Sequence, residues 1–236
     1  LGQSIARAVL LTQGEPSRHG TGMDFAPHAA LAARLLAFLG PQGTDGSHDL
    51  THIQRVWRNA LAIAATEPET DTEILLAAVV LHDCVTVEKD SPLRSQASRL
   101  SADRARELVV PLGWPPARVD ALAHAIATHS FSAGLQPETL DARIMQDADR
   151  LDAIGAIGVA RCFYIAGRMQ SGLYSPEDPS AKTRALDDRR FALDHFKAKL
   201  FQVVNGFLTP AGQAMAVERG QAMHAFVDTL LEEIGA

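Results

Sequence analysis

A histidine followed directly by an aspartate ends the apolar run Val79-Val80-Leu81-His82-Asp83, and the pair offers one borderline nitrogen and one hard oxygen to the same cation. Metal sites seldom rest on two ligands, so partners are needed elsewhere. His52, in Ser47-His48-Asp49-Leu50-Thr51-His52-Ile53-Gln54-Arg55-Val56, and the acidic cluster Asp147-Ala148-Asp149-Arg150-Leu151-Asp152 supply them. Two imidazoles with two carboxylates satisfy one divalent first-row metal and leave octahedral positions for water and substrate oxygens. Water on such an ion is acidified toward a pKa of roughly 7, and the ion offsets charge growing on phosphoryl oxygens, so the expected chemistry is hydrolysis at phosphorus. Dedicated Mg²⁺ sites lean on carboxylates and water; two histidines favour Mn²⁺ first, then Fe²⁺, Co²⁺, Ni²⁺ or Zn²⁺, with Mg²⁺ still allowed.

The elements that must position these groups read as helices throughout, which predicts an all-α, single-domain bundle over residues 23–236. Residues 1–22, with four glycines and Pro16 and no sustained periodicity, are expected to be an N-terminal extension outside the fold. A first helix is expected from Pro27 to Leu39 and a second from about Asp49, as N-cap, to Ala65, which puts His52 in its first turn with Arg55 on the same face. The third, Thr72 to His82, is apolar nearly all round and therefore central, delivering His82 and Asp83 at its end. Residues 84–100, with Lys89, Pro92, Arg94 and Arg99, read as a loop near the metal, and Ser101 as the cap of the next helix. Another helix opens at Pro115-Pro116 and ends at His129. A long helical pattern then runs from Asp141 to Met169, a polar loop from Gln170 to Arg184 could cover the site, and two more helices are expected near Asp187 to Val204 and Pro210 to Ile234.

Bulk composition narrows the class. A chain of 236 residues that is 47% hydrophobic can bury a sizeable core. A formal charge of −6 argues against binding a nucleic-acid polymer through a basic face, but not against a phosphorylated small molecule held at a metal. Two cysteines, Cys84 and Cys162, are too few for a disulfide framework, and no apolar run reaches the roughly 20 residues of a membrane span. The cytoplasm is the default, and a homodimer is left open.

With these residues in view, the chain resembles the HD-domain metal-dependent phosphohydrolases, whose pattern is His, His-Asp and a distant Asp on a helical bundle. It is more similar to a bacterial subgroup with three stretches: His-Asp-x-x-His-x-x-Arg-Val, here His48 to Val56; the run from Gln146 to Gly158; and His-Phe-x-x-Lys-Leu, here His195 to Leu200. The resemblance implies His52, His82, Asp83 and Asp149 as metal ligands, with Asp83 also counted as catalytic. The register within Asp147-Ala148-Asp149 is set by the family's final ligand following Ala and preceding a basic residue and Leu. On a helix Asp147 points about 160° away from Asp149, which suits a structural role. The resemblance also implies a phosphorylated substrate, a nucleotide first: a nucleoside triphosphate cut to monophosphate and pyrophosphate, or another phosphate ester.

Several roles stay open at this level. Asp152 could orient a ligand or Arg150, or be a solvated charge. Arg55 could take a substrate phosphate or pair with Asp83 or Asp152; Lys89 and Arg94 are the other expected substrate contacts. His129 could protonate a leaving group, bind phosphate, or cap its helix. A second metal held by His124 and His129 is disfavoured, since the two stand about 140° apart on a helix. A zinc-peptidase reading of His48-Asp49-x-x-His52 and a non-catalytic metal-binding module are the alternatives from other classes.

Overall fold

The structure is a computed structural model and describes residues 25–39, 50–87, 91, 93–130 and 133–236. The expected extension at residues 1–22, the Asp49 cap, His48, Lys89 and Phe131 lie outside the described residues. Among these residues the regular elements are helical, with one isolated bridge between Gly172 and Phe191.

The middle of the bundle is α3 (Thr72–Leu81), buried at every position from Ile74 to Leu81. Its N-terminus is fixed by Asp71, whose side chain accepts from the backbone N–H groups of Glu73 and Ile74 and pairs with Arg118. Such an N-cap contributes about 1 kcal/mol. Around α3 pack α1 (Ala29–Leu39), α2 (Leu50–Ala64), α5 (Pro116–His129) and α6 (Leu140–Leu151), with α4 (Ala97–Val109) mainly against α5. The metal-facing residues therefore ride on elements anchored to one core. The C-terminal layer comprises α7 (Gly155–Arg168), α8 (Ala192–His195), a π-helical turn (Phe196–Leu200), α9 (Phe201–Val203) and α10 (Pro210–Ile234).

Three boundaries depart from expectation. Helix α4 starts at Ala97, after a 3₁₀ turn over Arg94–Gln96, and Ser101 is a buried residue inside it. The Ser101 hydroxyl accepts from the Val85 backbone N–H at 3.2 Å, so it holds the preceding loop instead of capping a helix. The long pattern from Asp141 to Met169 is two helices. Asp152 and Ala153 form a tight turn on Asp149 and Arg150, Ile154 is extended, and Gly155 takes φ +72°, a left-handed conformation that costs glycine little. A Cβ there would also stand 3.0 Å from the Arg219 side chain. The segment expected to be helical from Asp187 begins at Ala192, because residues 187–191 form a turn that bonds back to Gly172.

Asp147 serves the bundle. It is fully buried and accepts from the backbone N–H groups of Leu208 (2.9 Å) and Thr209 (2.8 Å) and from the Thr209 hydroxyl (2.7 Å), seating the start of α10. Gly212 is required beneath it, since a Cβ would lie 2.6 Å from the Asp147 carboxylate. Asp147→Ala strands these donors and is expected to lower unfolding stability by about 2–4 kcal/mol. Urea midpoints measure this; a loss of metal affinity with stability intact would instead make Asp147 the ligand.

Candidate metal centre

Four elements deliver the site. His52 comes from the first turn of α2, His82 and Asp83 from the end of α3, His129 from the last residue of α5, and Asp149 from the last turn of α6. Ligand atoms of His52, His82 and Asp83 lie within 4.8 Å of one another. Asp149 Oδ1 adjoins both imidazoles, 3.5 Å from His52 Nε2 and 3.9 Å from His82 Nε2. The structure thus groups His52, His82 and Asp83 and places Asp149 beside both imidazoles. The imidazoles form the buried floor, while the Asp83 and Asp149 side chains are 41% and 27% exposed and face the solvent side.

The tautomers follow from the partners. His52 Nδ1 is 2.8 Å from Asp152 Oδ2, His82 Nδ1 is 2.9 Å from the Val79 carbonyl, and His129 Nδ1 is 2.6 Å from the Ile126 carbonyl. Each partner is an acceptor, so each Nδ1 carries a proton, and Nε2 is the ring nitrogen turned toward the cluster. The Nε2 atoms of His52 and His82 are 3.3 Å apart. Two imidazole nitrogens facing one another beside carboxylates are favourable only around positive charge, supplied by a proton on His82 or by a metal, and His52, His82 and Asp83, with Asp149 adjoining both imidazoles, are residues that could hold a divalent ion. The field says the same. Burial alone would lower the His82 pKa, but the charges of Asp83 and Asp149 and the hydrogen bond to Asp83 outweigh it and raise it to about 9. Burial, then the charge of His82, holds His129 below its ordinary range.

Loading a divalent metal at about pH 7.5 is therefore expected to release about one proton, the one His82 carries in the metal-free protein. Calorimetry in two buffers of different ionisation enthalpy reads it. A metal bound without proton release would place it away from His82.

Behind His52 stands Asp152, 1% exposed, which takes Arg55 Nε at 2.6 Å and Arg161 Nη1 at 3.2 Å as well as the imidazole. Burial would raise its pKa; hydrogen bonds from His52 and Arg55 outweigh this and hold it below the usual carboxylate range. Of the roles weighed for Arg55, the pairing with Asp152 is the one seen, and a groove of about 440 Å³ lined by Arg55, Arg58 and Arg219 lies alongside. Arg150 turns away to the carbonyls of Val203, Asn205 and Gly206. His124 accepts from the Glu138 N–H and is not in the cluster, whereas His129 Nε2 lies 3.8 Å from Asp83 Oδ1. Arg94 lines a small pocket with Asp83 and His129. Among the described residues, the 170–190 loop bonds to itself and to the segment around α8, through pairs such as Arg184 with Asp194, and not to the four ligands.

Sequence reasoning missed Arg161, and also Asn59 and Arg219, which clamp the end of α6. Asn59 donates to the Ala148 carbonyl, and Arg219 donates to the Leu151 carbonyl and to Asn59 Oδ1. Their only sequence signal is a polar residue on an otherwise apolar helix face.

A family model of the HD domain matches residues 49–154, the span from the start of α2 to the break after α6. The uncharacterized protein YpgQ of Bacillus subtilis (strain 168) is 32% identical over 197 residues, covering 81% of this chain and 87% of that protein. The chain belongs to the HD-domain family. Among solved structures, the crystal structure of Bacillus subtilis YpgQ in complex with ADP superposes with TM-score 0.67 at 30% identity, covering 88% of this chain and 98% of that one. An HD-superfamily hydrolase from Bacillus thuringiensis gives TM-score 0.67 at 25% identity, covering 87% and 97%.

Proposed function

We propose that this HD-domain protein is a metal-dependent phosphohydrolase acting on a nucleotide, with a nucleoside triphosphate cut to monophosphate and pyrophosphate as the leading reaction. The observation that carries the reading is the convergence of His52 Nε2 and His82 Nε2, 3.3 Å apart, with Asp83 and Asp149 beside them on the more exposed side. The ADP bound by the related YpgQ supports a nucleotide ligand.

His52, His82, Asp83 and Asp149 would hold one divalent ion, Mn²⁺ by preference. Bound there, the ion supplies Lewis acidity toward phosphoryl oxygens and acidifies water. The protein's own share is positional. Asp83 turns one oxygen toward His82 and the other toward His129, so it links the metal side of the site to the proton-transfer side. His129, with Nδ1 committed to Ile126, takes or returns a proton at Nε2. Arg94, which lines the pocket beside Asp83 and His129, supplies positive charge toward the phosphates.

The test is phosphate release across nucleoside mono-, di- and triphosphates, with and without added pyrophosphatase, after metal removal and reloading with Mn²⁺. Phosphate that appears from a triphosphate only with pyrophosphatase supports the leading reaction. Direct release points to a phosphomonoester or terminal anhydride, and no metal-dependent turnover on any nucleotide overturns the reading.

A further inference from the structure

A pocket of about 50 Å³ opens beside the metal cluster, bounded by Asp83, Arg94, Ser95, Ser98, His129 and Ser130. Water needs roughly 10–15 Å³ of such space, so the pocket holds a group several atoms larger, the size of a tetrahedral oxyanion. Ser98 is 3% exposed, and its hydroxyl has no hydrogen-bond partner among the described residues. An unpaired buried hydroxyl costs about 1–3 kcal/mol, a cost that a bound group with a hydrogen-bonding atom at this position would remove.

The surroundings select an anion. Arg94 donates Nη1 to the Val87 carbonyl at 2.9 Å, which fixes the guanidinium at the pocket wall with further N–H groups for a ligand. Ser98 is the second residue of α4, a helix of 13 residues whose N-terminus faces the pocket and adds the positive end of its dipole. Asp83 forms the wall shared with the metal cluster. Its Oδ2 is 3.4 Å from His82 Nε2 and its Oδ1 is 3.8 Å from His129 Nε2, so the metal side and the pocket lie on the two edges of one carboxylate.

Resting on the phosphohydrolase reading above, we propose that Ser98 and Arg94 form the seat of a second phosphoryl group, next to the one at the metal. The substrate class is then a phosphoanhydride, a di- or triphosphate, and Ser98 is a specificity-determining residue. A phosphomonoester fills the metal side and leaves the Ser98 hydroxyl unpaired.

The experiment uses the full chain, loaded with Mn²⁺ and freed of excess metal, and titrates it calorimetrically with two probes that resist hydrolysis, methylenediphosphonate and methylphosphonate. The wild type is expected to bind the diphosphonate at least about tenfold more tightly. Ser98→Ala is expected to lose about tenfold in diphosphonate affinity, the loss typical of a hydrogen bond to a charged group, and to bind methylphosphonate as before. Its melting temperature without ligand should stay level or rise, because the substitution removes an unpartnered hydroxyl. Arg94→Lys should fall between the two proteins. An unchanged diphosphonate affinity, an equal loss for both probes, or a clear drop in melting temperature overturns the proposal while leaving the metal reading intact. A wild type that binds Mn²⁺ and neither probe, or no Mn²⁺, overturns both.

Discussion

Replacing His82 by alanine is expected to abolish turnover and the metal-dependent rise in melting temperature together. His82 Nε2 stands within 3.9 Å of His52 Nε2, Asp83 Oδ2 and Asp149 Oδ1, so its loss removes the one donor adjacent to the other three. Losing a residue that only orients a ligand costs about 10–100-fold, so the effect on turnover should exceed about 100-fold. A metal at about 100 times its Kd adds about 2.7 kcal/mol to the native state, or roughly 5–10 °C for a chain of this length. The wild type should show that shift and His82→Ala should not. Asp149→Asn, a substitution of similar shape at a position about a quarter exposed, is the companion variant that keeps the result readable if loss of the buried imidazole also perturbs folding. A peptidase site built on His48 and His52 would keep its turnover in both variants, and a non-catalytic metal module would show the thermal shift without any turnover to lose.

How much of this was legible beforehand depends on what each residue needed from its neighbours. The apolar run from Ile74 to Leu81 announces a central helix because no polar residue interrupts it, and the His-Asp pair at its end follows it to the core's edge. The opposed directions of Asp147 and Asp149 follow from helical geometry alone, and the structure places Asp147 under α10 and Asp149 at the imidazoles. The break at Asp152–Ile154 was hidden because Leu151, Ile154 and Ile157 keep helical spacing across it, so apolar periodicity reads two helices as one. That break is what turns Asp152 back toward His52 and brings Arg161 within reach of it, contacts that no spacing in a continuous helix provides. Ser98 carried no signal at all. It is one of four serines between residues 91 and 101, and only burial separates it from the exposed Ser95.

The distinction between Asp152 as a helix charge and Asp152 as a structural hub leads to the second large effect. Asp152→Asn keeps the shape and removes the charge that faces His52, Arg55 and Arg161. Breaking a buried ion pair costs about 3–5 kcal/mol when the surviving charge is fully enclosed. Arg55 and Arg161 are each about a quarter exposed, so solvent screens part of that loss and about 2–3 kcal/mol is expected at neutral pH. The pH dependence has a definite sign. A carboxylate whose folded pKa is depressed stabilises the fold above its unfolded value, near 4, and that contribution disappears as pH falls through the lower folded value. The stability gap between wild type and Asp152→Asn should therefore be full above about pH 5 and close progressively in more acidic solution. The same substitution weakens the hold on the His52 tautomer, since an amide can turn either its oxygen or its nitrogen toward Nδ1. Metal affinity should then fall about 10–100-fold. Urea midpoints at several pH values and a metal titration measure the two losses separately. If metal affinity is unchanged, His52 keeps its orientation without Asp152; if the stability gap persists unaltered into acid, the carboxylate's charge is not what holds Arg55 and Arg161.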